Sequence, residues 1–171
     1  MCLSLHTARI LSASIWSLLC LSTIAAPLLA ACGYKITAGI LYLLWSPFCH
    51  QDSQRSFMLF GHRMAVCHRC TGIYVGFFWA ALVNTAWYRI ALEHRRLAVF
   101  IAAIPLLLDA MLPLTGLWSG STWTRIATGL IFGMAASSYL VIGIAELLCE
   151  NVSEQPGMSI SNKTREAFYE R

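Results

Sequence analysis

Charged side chains are scarce in this sequence of 171 residues. Aspartate, glutamate, lysine and arginine together make up 12% of the chain, while apolar residues make up 58%. An average soluble protein carries roughly 25% charged residues. A soluble domain of this length could not bury so much apolar surface, whereas a lipid bilayer accepts it. The length allows one domain, and the composition predicts an integral membrane protein.

Long basic tracts are missing, as are basic residues interleaved with aromatic ones. The net charge is a modest +4, and the basic residues stand in short runs beside apolar segments, as in the loops of membrane proteins. Nothing in this pattern supports a nucleic-acid partner. The predicted partner is the lipid bilayer, and a homo-oligomer or a partner membrane protein stays open.

Long apolar runs, in contrast, are present. Four of them predict transmembrane helices, over residues 10–31, 71–92, 97–114 and 125–148. A fifth run, residues 36–48, would extend only roughly 20 Å as a helix, which is short for a crossing and suits a re-entrant or interfacial helix. The predicted fold is therefore an all-α integral membrane helical bundle of four transmembrane helices plus this short helix. Residues 1–149 form the transmembrane domain, with a Cys/His-containing loop at 48–70, and residues 150–171 form a polar C-terminal tail.

The basic residues also predict an orientation. With four crossings, the larger share of the 12 lysines and arginines falls on the side of the two termini, which the positive-inside rule places in the cytoplasm. The protein is then a multi-pass protein of the cytoplasmic membrane with the Cys/His loop on its outer face. If residues 36–48 cross the bilayer, that loop is cytoplasmic instead. A second interpretation of the N-terminus treats Leu29-Ala30-Ala31-Cys32 as a lipoprotein cleavage box.

The seven cysteines are too scattered for a disulfide scaffold, but three of them stand among polar residues in the Cys/His loop. Cys67 and Cys70 have the CxxC spacing, which holds one metal ion or forms one small disulfide. Thr71 follows Cys70, so this is not the CxxCH of covalent haem attachment. Cys49 and His50 lie upstream and complete a set of four metal ligands, for which zinc or iron is the predicted ion.

The same cysteines also permit redox chemistry. Cys70 stands where the helix near Thr71 begins, and the partial positive charge of a helix N-terminus lowers the pKa of a thiol. The alternative function is a membrane thiol-disulfide oxidoreductase that uses Cys67 and Cys70 with a quinone or a partner protein.

Polar residues inside or beside the apolar runs are candidate supports for this site. Asp109 lies at membrane depth, where an ionised carboxylate is costly and usually functional, and Arg125 is its predicted partner. A small transporter that uses Asp109 is a third alternative. The predicted supporting residues are Gln51, Arg55, Ser56, Arg69, Asp109 and Arg125, and His62 is a weaker candidate ligand. Two glycine pairs at four-residue spacing, Gly72/Gly76 and Gly129/Gly133, predict close packing of one helix on another.

A longer pattern covers roughly residues 38–133. Its positions are Cys49-His50-Gln51, Arg55-Ser56-Phe57, Gly61, Cys67, Arg69-Cys70-Thr71-Gly72-Ile73-Tyr74 and Gly76, then Pro105, Asp109, Ser121, Arg125, Thr128-Gly129 and Gly133. This pattern resembles the family of small prokaryotic membrane proteins catalogued as domain of unknown function 2085. The chain departs from the family pattern at Ala110, Pro113 and Thr122. The resemblance implies a multi-pass membrane protein and implies no activity, so it leaves open whether the protein is an enzyme.

Overall fold

The computed structural model describes residues 5–82, 95–116 and 120–153. These residues form five helices and one small two-stranded antiparallel sheet. The helices are α1 (Leu5–Ala31), α2 (Lys35–Trp45), α3 (His68–Leu82), α4 (Arg95–Met111) and α5 (Thr122–Ser153). The strands are β1 (Ser56–Leu59) and β2 (His62–Cys67), and short 3-10 turns cover Ser53–Arg55 and Leu112–Thr115. The fold is therefore mostly helical, as the apolar runs predict.

The strands correct the all-α prediction, which treated residues 48–70 as a loop. β1 and β2 pair from Leu59 opposite His62 to Ser56 opposite Cys67. The two-residue turn between them consists of Phe60 and Gly61, whose φ angles are 53° and 76°. Positive φ at both central residues is the geometry of the tight turn that matches the twist of paired strands. This hairpin delivers Cys67 to the start of α3.

One helix among the described residues is long and apolar enough, by length and composition, to cross a membrane, and it covers Thr7–Ala31 in α1. The remaining predicted spans have other bounds in the structure. α3 begins at His68, and the rest of that predicted span lies among residues 83–94, outside the described ranges. α4 ends at Met111 instead of residue 114, because Pro113 lacks an N–H group and disfavours helical geometry before it. α5 continues to Ser153, so the first four residues of the predicted tail 150–171 are helical, and residues 154–171 lie outside the described ranges.

α1 and α2 form an antiparallel helical hairpin with a tight turn at Gly33, whose φ is 89°. The far end of α2 is tied to the middle of α1, since Trp45 Nε1 donates a hydrogen bond of 3.2 Å to Ser22 Oγ. α2 has 11 residues and is thus roughly 16 Å long, about half the hydrocarbon thickness of a bilayer. It therefore runs back along α1 without the length to cross.

α3 and α5 are the most closely packed helices of the described chain, and glycines make this contact possible. A Cβ atom on any of the four paired glycines would overlap a backbone carbonyl of the opposite helix. The contacts are Gly72 with Ile126, Gly76 with Leu130, Gly129 with Arg69 and Gly133 with Ile73. Residue numbers rise together on both helices, so α3 and α5 run parallel and begin at the same end of the bundle. That end holds the CxxC sequence.

Candidate metal centre

Three cysteine sulfurs meet where α2, β2 and α3 converge. The Sγ atoms of Cys49, Cys67 and Cys70 all lie within 4.8 Å of one another. Cys49 follows the end of α2 and is 7% exposed, Cys67 is the last residue of β2, and Cys70 is in the first turn of α3. The three thiols are free. The fold thus gathers sulfurs from two separate parts of the sequence into one group.

Backbone N–H groups surround the Cys49 sulfur. The N–H of Cys67 donates to it over 3.2 Å, and the N–H of Gln51 is a second donor. Gln51 has a φ of 51°, which is unusual for a residue with a side chain. Two hydrogen bonds hold this conformation, one from Gln51 Nε2 to the carbonyl of Tyr42 (2.6 Å) and one from Arg63 Nη1 to the carbonyl of Gln51 (3.2 Å). The strained turn therefore aims an N–H group at sulfur.

The Cys67 sulfur takes the N-cap position of α3. It accepts hydrogen bonds from the backbone N–H groups of Arg69 and Cys70, which have no partner inside the helix. This end of the helix also carries partial positive charge. Both effects favour an anionic sulfur over a neutral thiol.

Hydrogen bonds among the three sulfurs give the cysteines different pKa values. Hydrogen bonds from Cys49 and Cys70, together with the backbone donors, lower the pKa of Cys67 well below its ordinary value. The hydrogen bond with Cys67 raises the pKa of Cys49, and hydrogen bonds with Cys49 and Cys67 raise that of Cys70. Without metal these hydrogen bonds therefore favour the thiolate form at Cys67 over Cys49 and Cys70. A metal ion would displace the other two protons, because thiolates are the ligands.

His50, predicted as the nitrogen ligand, is not part of this group. Its side chain is exposed, whereas Cys49 is buried against the core. The three sulfurs therefore group together without the His50 ring. His62 is also exposed, at the start of β2 near the hairpin turn.

His68 is a buried residue of the site that the sequence analysis gave no role as a ligand or support. It is 6% exposed, and its ring packs edge-on against Phe57 with centroids 4.4 Å apart. Within the described part of the chain its Nδ1 atom has no hydrogen-bond partner.

Asp109 is paired with Arg69, a partner that the sequence analysis did not name for it. Arg69 Nε lies 2.6 Å from Asp109 Oδ2, and Arg69 Nη2 donates to the backbone carbonyl of Asp109 over 2.6 Å. Thr124 Oγ1 donates to the other carboxylate oxygen over 3.2 Å. Arg125 is buried close by, since a Cβ on Gly120 would lie within 3.4 Å of both its guanidinium and Asp109 Oδ1. The carboxylate therefore joins the ends of α4 and α5 to the CxxC turn.

Two predicted supports are consecutive residues where the chain enters β1: Arg55 ends the 3-10 turn and Ser56 begins the strand. Arg55 forms a half-exposed ion pair of 3.3 Å with Asp52. Ser56 is buried, donates a hydrogen bond of 2.9 Å to the carbonyl of Asp52, and stands opposite Cys67 in the strand register. Ser56 thus lies beside the sulfur group, whereas Arg55 fixes the surface of the loop.

The region that holds the three cysteines is shared with a known protein family. Residues 49–139 match a family described as predicted membrane protein, DUF2085. The chain belongs to this family. The region it shares with DUF2085 begins at Cys49 and includes the other two cysteines, Asp109 and Arg125.

Two archaeal relatives are similar to the chain. An uncharacterized protein of Methanocaldococcus jannaschii, MJ1492, is 34% identical over 138 residues, which cover 71% of this chain and 82% of that protein. An uncharacterized protein of Methanothermobacter thermautotrophicus is 34% identical over 89 residues, which cover 50% of this chain and 78% of that protein. No solved structure matches the chain.

Proposed function

We propose that this member of the DUF2085 family binds one transition metal ion, zinc or iron, through Cys49, Cys67 and Cys70. The observation that carries the proposal is the sulfur group itself, with its three sulfurs within 4.8 Å of one another. Three thiolates bound to zinc at Zn–S distances of about 2.3 Å stand roughly 3.8 Å apart. The group would thus need to contract by no more than about 1 Å to hold the ion.

The fourth coordination position would be open. Among the described residues, the groups of histidine, cysteine and carboxylate side chains suited to a metal include no fourth member here. A closed four-ligand shell is typical of structural zinc, whereas three protein ligands and a free position are typical of catalytic or exchanging sites. An exchanging site is therefore the favoured form.

We propose that this site belongs to a multi-pass protein of the cytoplasmic membrane. The four crossings would be α1, α3, α4 and α5. With both termini in the cytoplasm, the cysteines lie on the outer side. Lipid is then the main partner of the exposed apolar faces. We propose that α1 is retained in the mature protein, because it packs on α2, α3 and β2.

Elemental analysis of detergent-purified protein tests the metal proposal. Wild-type protein prepared without chelators is expected to carry about one zinc or iron ion per chain, and Cys67→Ser is expected to lose it, since each thiolate is a ligand. Cys32→Ser, at an exposed free cysteine outside the group, is the matched control and keeps the ion. Metal-free wild-type protein, or equal metal content in both variants, would contradict the proposal.

A thiol-disulfide oxidoreductase is the second candidate, and the lowered pKa of Cys67 favours it. In that reaction two thiols of the group lose two electrons and two protons and form a disulfide, while a quinone takes both and becomes a quinol. The expected result is then a disulfide between Cys67 and Cys70 whose fraction follows added quinone.

The transporter role of Asp109 stays an untested prediction, since the ion pair with Arg69 already accounts for a buried carboxylate.

A further inference from the structure

Tyr74 lies beside the sulfur group but has no assigned role. It stands four residues after Cys70 on α3, so the two side chains share one face of the helix. Helical side chains lean toward the N-terminus, which directs the Tyr74 ring toward the turn that carries Cys70. The ring packs on the same core cluster that contains Cys49, and Cys67 and Cys70 pack on this cluster as well.

Two tryptophans fix the position of the Tyr74 ring. Trp16 of α1 stacks on it with centroids 6.0 Å apart and an interplanar angle of 20°, and Trp45 of α2 lies 5.2 Å away. Trp45 is itself held by its hydrogen bond to Ser22. The phenol is therefore held between three helices with little freedom to turn away.

This packing of the Tyr74 ring does not provide a hydrogen-bond partner for its hydroxyl group. Within the described residues it forms no hydrogen bond, although a half-buried phenol usually has a partner. It interacts electrostatically with all three sulfurs of the group. An O–H donor with no protein acceptor among the described residues thus lies on the face of α3 that carries Cys70, beside the cluster on which the sulfurs pack.

We propose that the Tyr74 hydroxyl donates a hydrogen bond to an exogenous ligand on the metal, a water molecule or a small anion. This inference rests on the proposed metal function and gives that site a ligand class. A small anion suits the position because a phenol O–H is a donor at neutral pH, and a hydrogen bond to a charged partner is stronger than one to a neutral partner. Three sulfurs hold the ion, and Tyr74 selects what binds to its free side.

Azide binding to cobalt-loaded protein tests the inference. Cobalt replaces the native ion, and its visible absorbance reports azide at the fourth position. Tyr74→Phe keeps the ring and its stacking, so it is expected to keep the cobalt content of wild type. A hydrogen bond to a charged ligand contributes at least about 1.5 kcal/mol, so azide affinity is expected to fall about tenfold or more in this variant.

Tyr34→Phe is the matched control, because Tyr34 is 63% exposed in the α1–α2 turn and is not part of the site. Its azide affinity is expected to stay at the wild-type value. Equal azide affinity in Tyr74→Phe and wild type, or an equal loss in Tyr34→Phe, would overturn the role of Tyr74 while the metal site stands. If the wild-type protein takes up no cobalt, the metal proposal fails first and the inference fails with it.

Discussion

At the scale of single residues, the three cysteines share one site but differ in protonation. Cys67 receives hydrogen bonds from two sulfurs and two backbone N–H groups, which lower its pKa, whereas hydrogen bonding within the group raises the pKa of Cys49 and Cys70. A thiol with a lowered pKa becomes a thiolate, the reactive form, at lower pH. In metal-free protein, the hydrogen bonds that each sulfur receives therefore set the order in which the three cysteines become reactive as pH rises.

Alkylation measures this order. In metal-free protein, the iodoacetamide reaction of Cys67 is expected to reach its plateau below neutral pH, while the reactions of Cys49 and Cys70 still accelerate in alkaline solution. Peptide mass spectrometry over a pH series gives each rate. Cys49→Ala removes one donor and is expected to move the Cys67 midpoint upward. One shared midpoint for the three cysteines would contradict a thiolate centred on Cys67.

A second residue-scale prediction concerns the ion pair of Asp109. The carboxylate is 6% exposed, and removal of one partner of a buried pair leaves an uncompensated charge that costs about 3 kcal/mol. Asp109→Asn should therefore lower the midpoint of thermal unfolding and weaken metal binding, since Arg69 stands inside the CxxC turn. Asp52→Asn breaks the half-exposed pair with Arg55 and should change stability by less than about 1 kcal/mol. Similar shifts for both variants would argue against a buried pair.

These residues show what spacing alone predicts. The sequence was enough to predict that Cys49, Cys67 and Cys70 form one group. A CxxC sequence with an upstream cysteine is a metal-ligand pattern that does not depend on the fold. The exposure of His50 could not be predicted from the sequence, since it depends on how the neighbouring Cys49 is buried in the folded chain. The pairing of Arg69 with Asp109 depends on the rotation of α3, which no local pattern records.

At the scale of elements, the glycine contact between α3 and α5 sets the position of the CxxC turn. Gly133→Ala places a Cβ against the carbonyl of Ile73, and crowding of this kind costs roughly 1–3 kcal/mol. Gly143→Ala on the same helix meets nothing within 4 Å, so it should be neutral or stabilise the helix by about 0.5–1 kcal/mol. Thermal unfolding of the two variants in detergent compares them. Equal stability would show that the helices do not approach as closely as the structure indicates.

The elements also differ in how well sequence predicted them. Helix α1 follows directly from an apolar run, because length and hydropathy are properties of the segment alone. The sequence analysis did not predict the β-hairpin, because its turn has Phe60 at a position where asparagine or glycine would have indicated a tight turn. The end of α4 was placed too late, although Pro113 is a stop signal that could have found it.

At the scale of the whole molecule, the structure sets the depth of the sulfur group below the α1–α2 turn. Cys49 follows α2, whose end is tied to Ser22 of α1, and Ser22 lies nine residues before Ala31. At 1.5 Å per residue this separation is roughly 14 Å along α1. If the turn lies at the outer membrane surface, the sulfurs are recessed below it, in the outer half of the bilayer, with the hairpin beside them.

Cysteine labelling in intact cells tests this depth together with the orientation. Cys32, exposed in the turn, is expected to react with a bulky, impermeant polyethylene-glycol maleimide added outside. In metal-free protein, Cys67 and Cys70 are expected to react with a small methanethiosulfonate but not with the bulky reagent, because both cysteines are only partly exposed. Single-cysteine variants assign each reaction, and cells that express a Cys32→Ser variant give the background. Labelling of Cys32 only in inverted membrane vesicles would reverse the proposed topology, and equal labelling of Cys32 and Cys67 by the bulky reagent would place the sulfurs at the surface.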